Sequence, residues 1–178
     1  MSRTRKAIAL ALLWISVING AIWIGGTVFM MLVFNPLWTA SPPESVRSYW
    51  LEARFYDTIF NFFGPAWQIV RTVPALGALI VCWSLPRQRT WLLVNAVTLL
   101  VAVAMTLLYI YPMNEVLFTS AIDGLSVDAA RAMTEHWILA DRVRFAVRCV
   151  GFVALLRAFS MPIASTEPIG AERQRATL

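Results

Sequence analysis

Apolar residues along the chain gather into four long runs, and the polar residues inside those runs are the informative exceptions. A bilayer core of about 30 Å takes about 20 helical residues at about 1.5 Å each. The first run, over about residues 7–34, follows a basic start of Arg3, Arg5 and Lys6. It is too long for the apolar part of a signal peptide and ends at Asn35-Pro36 without a small-residue cleavage site, so it predicts an uncleaved first span. Asn19, Trp23, Gly26 and Met30 share one stripe of it at i, i+4, i+7 and i+11. Ser16 and Gly20 make a small-xxx-small pair suited to close helix packing.

The second run, about 59–83, is interrupted by Gly64-Pro65 and Pro74. The third, about 90–111, is almost uniformly apolar and ends in Tyr109-Ile110-Tyr111, an aromatic-belt signal. The fourth is the second half of a longer helix predicted from Ser126 to Phe159, its membrane part over about 132–159. Between the first two runs, Ser41-Pro42-Pro43-Glu44 has the order of a capping box. Val46, Tyr49, Trp50, Ala53 and Tyr56 then keep a helical rhythm, which predicts an amphipathic interfacial helix over about 42–56. Residues 162–178 combine prolines, a glycine and charges and predict a disordered cytoplasmic tail. The expected architecture is all-α: an integral membrane four-helix bundle over residues 1–161.

Composition agrees with that pattern. Of 178 residues, 59% are hydrophobic and only 14% charged, against about 25% charged in soluble domains. The net charge of +5 belongs to topology and not to a nucleic-acid surface, because no basic run is interleaved with aromatics on a soluble module. Arg3, Arg5, Lys6, Arg87, Arg89, Arg157, Arg173 and Arg175 lie at the termini and in the turn at 84–90, whereas the other two loops carry most of the acids. The positive-inside rule then puts both termini in the cytoplasm of a multi-pass plasma or inner membrane protein. Cys82 and Cys149 lie within apolar runs, as small buried hydrophobes do.

The fourth helix carries the candidate chemistry. Trp137, Asp141, Arg144 and Arg148 fall on one face, while Asp128, Arg131, Glu135 and Arg142 fall nearly opposite. A helix entering a bilayer with two polar faces must turn one of them towards protein or water. In the second run Asn61, Gln68 and Arg71 share a face, and Asn114 with Glu115 follows the third. With the predicted topology, these residues line one polar pocket at the outer leaflet. Its surplus of guanidinium groups favours a small lipophilic anion, a phenolate or a lipid head group. The alternative is that the fourth helix begins outside the membrane with its charges solvated or paired for structure alone. No metal or cofactor is expected: His136 is the single histidine, and there is no cysteine pair at ligand spacing, phosphate loop or nucleophile triad.

The chain resembles the anthrone oxygenase-like family of small four-helix membrane proteins, long classed as a domain of unknown function. The resemblance covers about residues 20–159. It rests on Gly26-Thr27-Val28-Phe29 with Pro36, on Tyr111-Pro112-Met113-Asn114-Glu115, and on Trp137 followed by Asp141 and Arg144. This chain has Asp141 where the family usually has His. The resemblance implies a cofactor-free oxidoreductase that oxidises an anthrone with dioxygen. Asp141 would be the general base and Arg144 and Arg148 would stabilise the developing anion. Asn114 and Trp137 would position the ligand, with Asn61, Gln68 and Arg71 completing the pocket. A second reading, of a different class, is a non-catalytic accessory protein that binds membrane lipids, in particular anionic ones. Transport is a third, although four spans are few for a transporter unless the chain forms a homo-oligomer.

Overall fold

The computed structural model describes residues 2–55, 59 and 62–163, and every regular element among them is helical. Helix α1 (Arg3–Trp38) begins at Ser2, whose hydroxyl accepts from the Arg5 amide and satisfies one of the unpaired N–H groups of the first turn. Helix α2 (Glu44–Val46) runs on into a π-helical stretch, Arg47–Glu52. Helices α3 (Pro65–Val81) and α4 (Pro86–Leu117) each open with proline, whose missing N–H costs nothing there. A 3₁₀ turn, Ser120–Gly124, leads to α5 (Val127–Phe159), which Ser126 caps by accepting from the Ala129 amide.

Several boundaries differ from the expected ones, for a common reason. Pro36 and Pro112 were expected to end the first and third spans, yet α1 and α4 continue through them. Each proline follows a five-residue π-helical turn, Met30–Phe34 and Thr106–Ile110. A proline ring clashes with the carbonyl four residues back and cannot pair with it. Widening the helix just before the proline accommodates both problems. The capping box at Ser41 does not form. Instead the Ser45 hydroxyl accepts from the Ser41 amide and donates to the Trp38 carbonyl, after a cis Pro42-Pro43 bond. Tyr56, the last residue of the expected interfacial helix, lies outside the described residues, as do residues 164–178 of the tail. The preceding Ile163 is buried in an apolar cluster with residues of α1, α3, α4 and α5.

The four long helices pack α1 on α3 and α5, and α4 on α3 and α5. Two apolar clusters lie at opposite ends of this assembly. One is mostly aliphatic and joins Ala9 and Leu13 to Ala78, Cys82, Leu92 and Leu155. The other is aromatic and joins Phe34, Trp38, Trp50, Ile110, Phe118 and Trp137. Between them lie buried polar groups: Asn19, Thr27, Arg71, Asn95, Thr106, Asp141 and Arg148. The outside is the reverse. Leu32, Ile80, Leu108 and Val153 stand exposed, Leu108 at 79%.

Helices α1 and α4 are long and apolar enough to cross a membrane, and α3 is apolar but shorter at 17 residues. Helix α5 has the length but carries eight charged residues, seven of them between Asp128 and Arg148. That charge is sorted by face. Asp141 and Arg148 are buried and Arg144 is half-buried, whereas Asp128, Arg131, Glu135, Arg142 and Arg157 are exposed together with Leu139, Val143, Val150, Val153 and Leu156.

Candidate functional site

The aromatic cluster holds a cavity of about 80 Å³ on its inner side, walled by Met30, Trp50, Ile59, Phe63, Ile110 and Phe118. Its polar lining is Thr27, Thr106, Tyr111, Asn114, Trp137, Asp141 and Arg144. Both π-helical turns border it, since Met30 comes from the first and Thr106 and Ile110 from the second. An extra residue per turn shifts the phase of the helix, and so brings Thr106 and Asn114 to the same space from α4.

The polar groups are tied together in one trio and one pair. Arg144 Nη2 donates to Asp141 Oδ1 at 2.5 Å, and Arg144 Nη1 donates to Thr106 Oγ1 at 3.0 Å. Thr106 in turn donates to the Ala102 carbonyl at 2.8 Å, which fixes its lone pairs towards Arg144. Trp137 Nε1 donates to Asn114 Oδ1 at 2.6 Å. The Trp137 ring is held edge-on by Trp38 and Phe118, with centroids 5.3 Å and 5.8 Å away. Phe118 is itself stacked on Trp50 at 4.0 Å. At the surface nearby, Arg47 bonds Asp123 at 2.5 Å and joins α2 to the 3₁₀ turn. The Asp123 carboxylate raises the Arg47 guanidinium above its ordinary value.

No family model, curated protein or solved structure matches the chain.

Of the residues expected to share one pocket, Asn114, Trp137, Asp141 and Arg144 line this cavity. Gln68, Arg71 and Arg148 do not, and Asn61 lies outside the described residues. The single pocket expected from the helical projection is thus divided. Arg71 turns towards α1, where its guanidinium carbon sits 4.7 Å over the Trp23 ring and its Nη2 donates to Gln68 Oε1. Arg148 lies one turn beyond Arg144, beside Gly151 and Thr98. Glu115 is exposed.

Thr106, Thr27 and the aromatic wall were not singled out as site residues from the sequence. Thr106 left a signal, being one of three polar residues in an otherwise apolar run. A hydroxyl at that depth needs a partner, and a neighbouring helix with arginines supplies one. Among the described residues no three His, Cys, Asp or Glu side chains come together as metal ligands.

Proposed function

We propose that the chain is an integral membrane four-helix bundle, and that its cavity binds the oxygen-bearing edge of a lipophilic phenolic or enolisable aromatic molecule. The membrane reading is supported by the stretch of α5 from Val143 to Leu156, where the exposed residues are apolar and the charged ones, Arg144 and Arg148, turn inward. It accounts for α5 as a span despite its composition. The bias of basic residues supports a topology with both termini in the cytoplasm and the cavity in the outer half of the bilayer.

The observation that carries the functional reading is the Asp141–Arg144 pair at an aromatic-walled cavity. A volume of about 80 Å³ is less than the roughly 150 Å³ that encloses a benzene. It takes one polar edge of a ring system. The bound edge meets an acceptor, the Asp141 carboxylate, and donors from Arg144 and Tyr111.

This is the equipment for a cofactor-independent oxidation of the anthrone type, in line with the family resemblance. Asp141 takes a proton from the ring methylene, and Arg144 stabilises the oxyanion of the resulting enolate. The carbanion form adds dioxygen to give a peroxide anion, which regains the proton. The hydroperoxide then loses water and leaves a ketone: one methylene and one dioxygen become one carbonyl and one water.

Purified protein in detergent, supplied with an anthrone under oxygen, should consume oxygen and form anthraquinone. Asp141→Asn and Arg144→Ala should each lower the rate by about 100-fold or more. An unchanged rate in both variants removes this mechanism. Because the Asp141 carboxylate is already bonded to Arg144, a second reading is binding without turnover. It predicts a saturable change in Trp fluorescence with the same anthrone and no oxygen uptake.

A further inference from the structure

Arg71 and Arg148 are each 4% exposed, and neither lines the cavity just described. Arg71 Nε and Nη1 and Arg148 Nε and Nη1 are buried and have no hydrogen-bond partner among the described residues. The other charges acting on Arg71 are those of Arg148 and Arg144, and all are positive. The buried acid nearby is Asp141, whose bonded oxygen is engaged by Arg144. Three buried or half-buried guanidiniums thus share this layer with one carboxylate, which bonds Arg144. An uncompensated charge inside a protein is costly enough that such groups are found paired.

The surroundings are shaped around these two side chains. Trp23 offers its face to Arg71, which stabilises the cation but fills none of its N–H donors. Gly151 leaves room for the Arg148 and Thr98 side chains to meet: a Cβ there would come within 3.2 Å of Arg148 Nη1 and 2.1 Å of Thr98 Oγ1. Asn95 Oδ1, on the neighbouring α4, is also buried without a partner.

We propose that Arg71 and Arg148 form a buried site for a small monovalent anion, bridged between their free N–H groups in the polar layer between the two apolar clusters. Planar guanidinium forks suit a carboxylate group, and two such cations also suit a halide. The shared chemistry is one negative charge of small radius. Its source is either free chloride or the carboxylate of a lipophilic acid entering past Arg144.

Full-length protein in detergent is transferred to a buffer free of chloride and of carboxylates, with sulfate as the background anion. Chloride or benzoate is then titrated in at constant ionic strength while thermal unfolding is followed. A saturable rise in Tm of about 5–10 °C is expected at a hundredfold excess over Kd. Stabilisation by chloride identifies the free ion, and stabilisation by benzoate alone identifies an organic carboxylate. The rise should vanish in Arg71→Met and Arg148→Met and persist in Arg131→Met, on the exposed face of α5. If the Met variants do not fold, Arg148→Lys keeps the charge without the fork and should weaken binding at least tenfold. No stabilisation by either anion, or equal stabilisation in the folded Arg71 and Arg148 variants, overturns the site. This readout needs no turnover, so it succeeds or fails separately from the oxidation of an anthrone.

Discussion

Trp137 and Asn114 are 23 residues apart and joined by a 2.6 Å hydrogen bond between the indole N–H and the amide oxygen. The bond ties α5 to the end of α4 beyond Pro112, and it holds the indole as one wall of the cavity. Removing one partner strands the other in a mostly apolar setting, at a cost of about 1–3 kcal/mol. Trp137→Phe and Asn114→Leu should each lower stability by that order. The double variant should lose less than the sum, with a coupling of about 1 kcal/mol in a double-mutant cycle read by denaturation. Additive losses would show that the bond contributes nothing beyond packing.

The ion pair at the cavity behaves asymmetrically. Arg144→Met leaves the buried Asp141 carboxylate without its cation and should cost about 3–5 kcal/mol. Asp141→Asn retains an acceptor oxygen for Arg144 but adds to the excess of positive charge in the interior. The double variant Asp141→Leu with Arg144→Met removes both charges and should be more stable than Arg144→Met alone. Thermal unfolding of the three proteins in one detergent decides it. A double variant less stable than either single change would mean that the pair is net stabilising.

The all-helical fold was legible from apolar run length, and on α5 the 3.6-residue period separates the residues that are buried from those that are exposed. Trp137, Asp141 and Arg148 fall inside, and Arg131, Glu135 and Arg142 outside. Periodicity worked there because α5 is uninterrupted over 33 residues. It failed on α1 and α4, where proline suggests an end and the chain instead widens into a π-helical turn. Past such a turn the projection is out of phase, which hid that Thr106, at the start of the turn, and Asn114, beyond it, face one cavity. The division between the Arg144 cavity and the Arg71–Arg148 pair was equally hidden. It depends on which neighbouring helix each arginine turns to, and the spacing along one helix does not carry that information. The capping box at Ser41 had the right residues, yet the Ser45 hydroxyl and the Trp38 carbonyl, seven residues apart, took the local hydrogen bonds.

Close packing of α4 on α5 rests on one missing side chain. A Cβ at Gly151 would lie 2.1 Å from Thr98 Oγ1, and that hydroxyl is itself fixed by the Val94 and Asn95 carbonyls. Gly151→Ala should therefore force the helices apart and cost about 1–3 kcal/mol. Gly25, which has nothing within 4 Å of its missing Cβ, is the control. Gly25→Ala should be neutral or slightly stabilising, by up to about 1 kcal/mol, because alanine favours the helix. Equal effects of the two changes on Tm would show that the α4–α5 contact yields without cost.

Orientation in the membrane can be read by labelling. The proposed topology puts the Ser120–Gly124 turn on the outer side and the Pro86–Arg89 turn on the inner side. In a background with Cys82 and Cys149 replaced by alanine, single cysteines at Ser120 and Arg87 report each side. Both positions are exposed, so burial does not limit the reaction. A membrane-impermeant maleimide added to intact cells should label the cysteine at position 120 and spare the one at 87. Lysed cells should show both labelled. The reverse pattern would invert the protein and place the Asp141 cavity on the cytoplasmic side. Labelling of both positions in intact cells would mean that α3 and α4 do not cross as a hairpin, and the proposed membrane arrangement would fall.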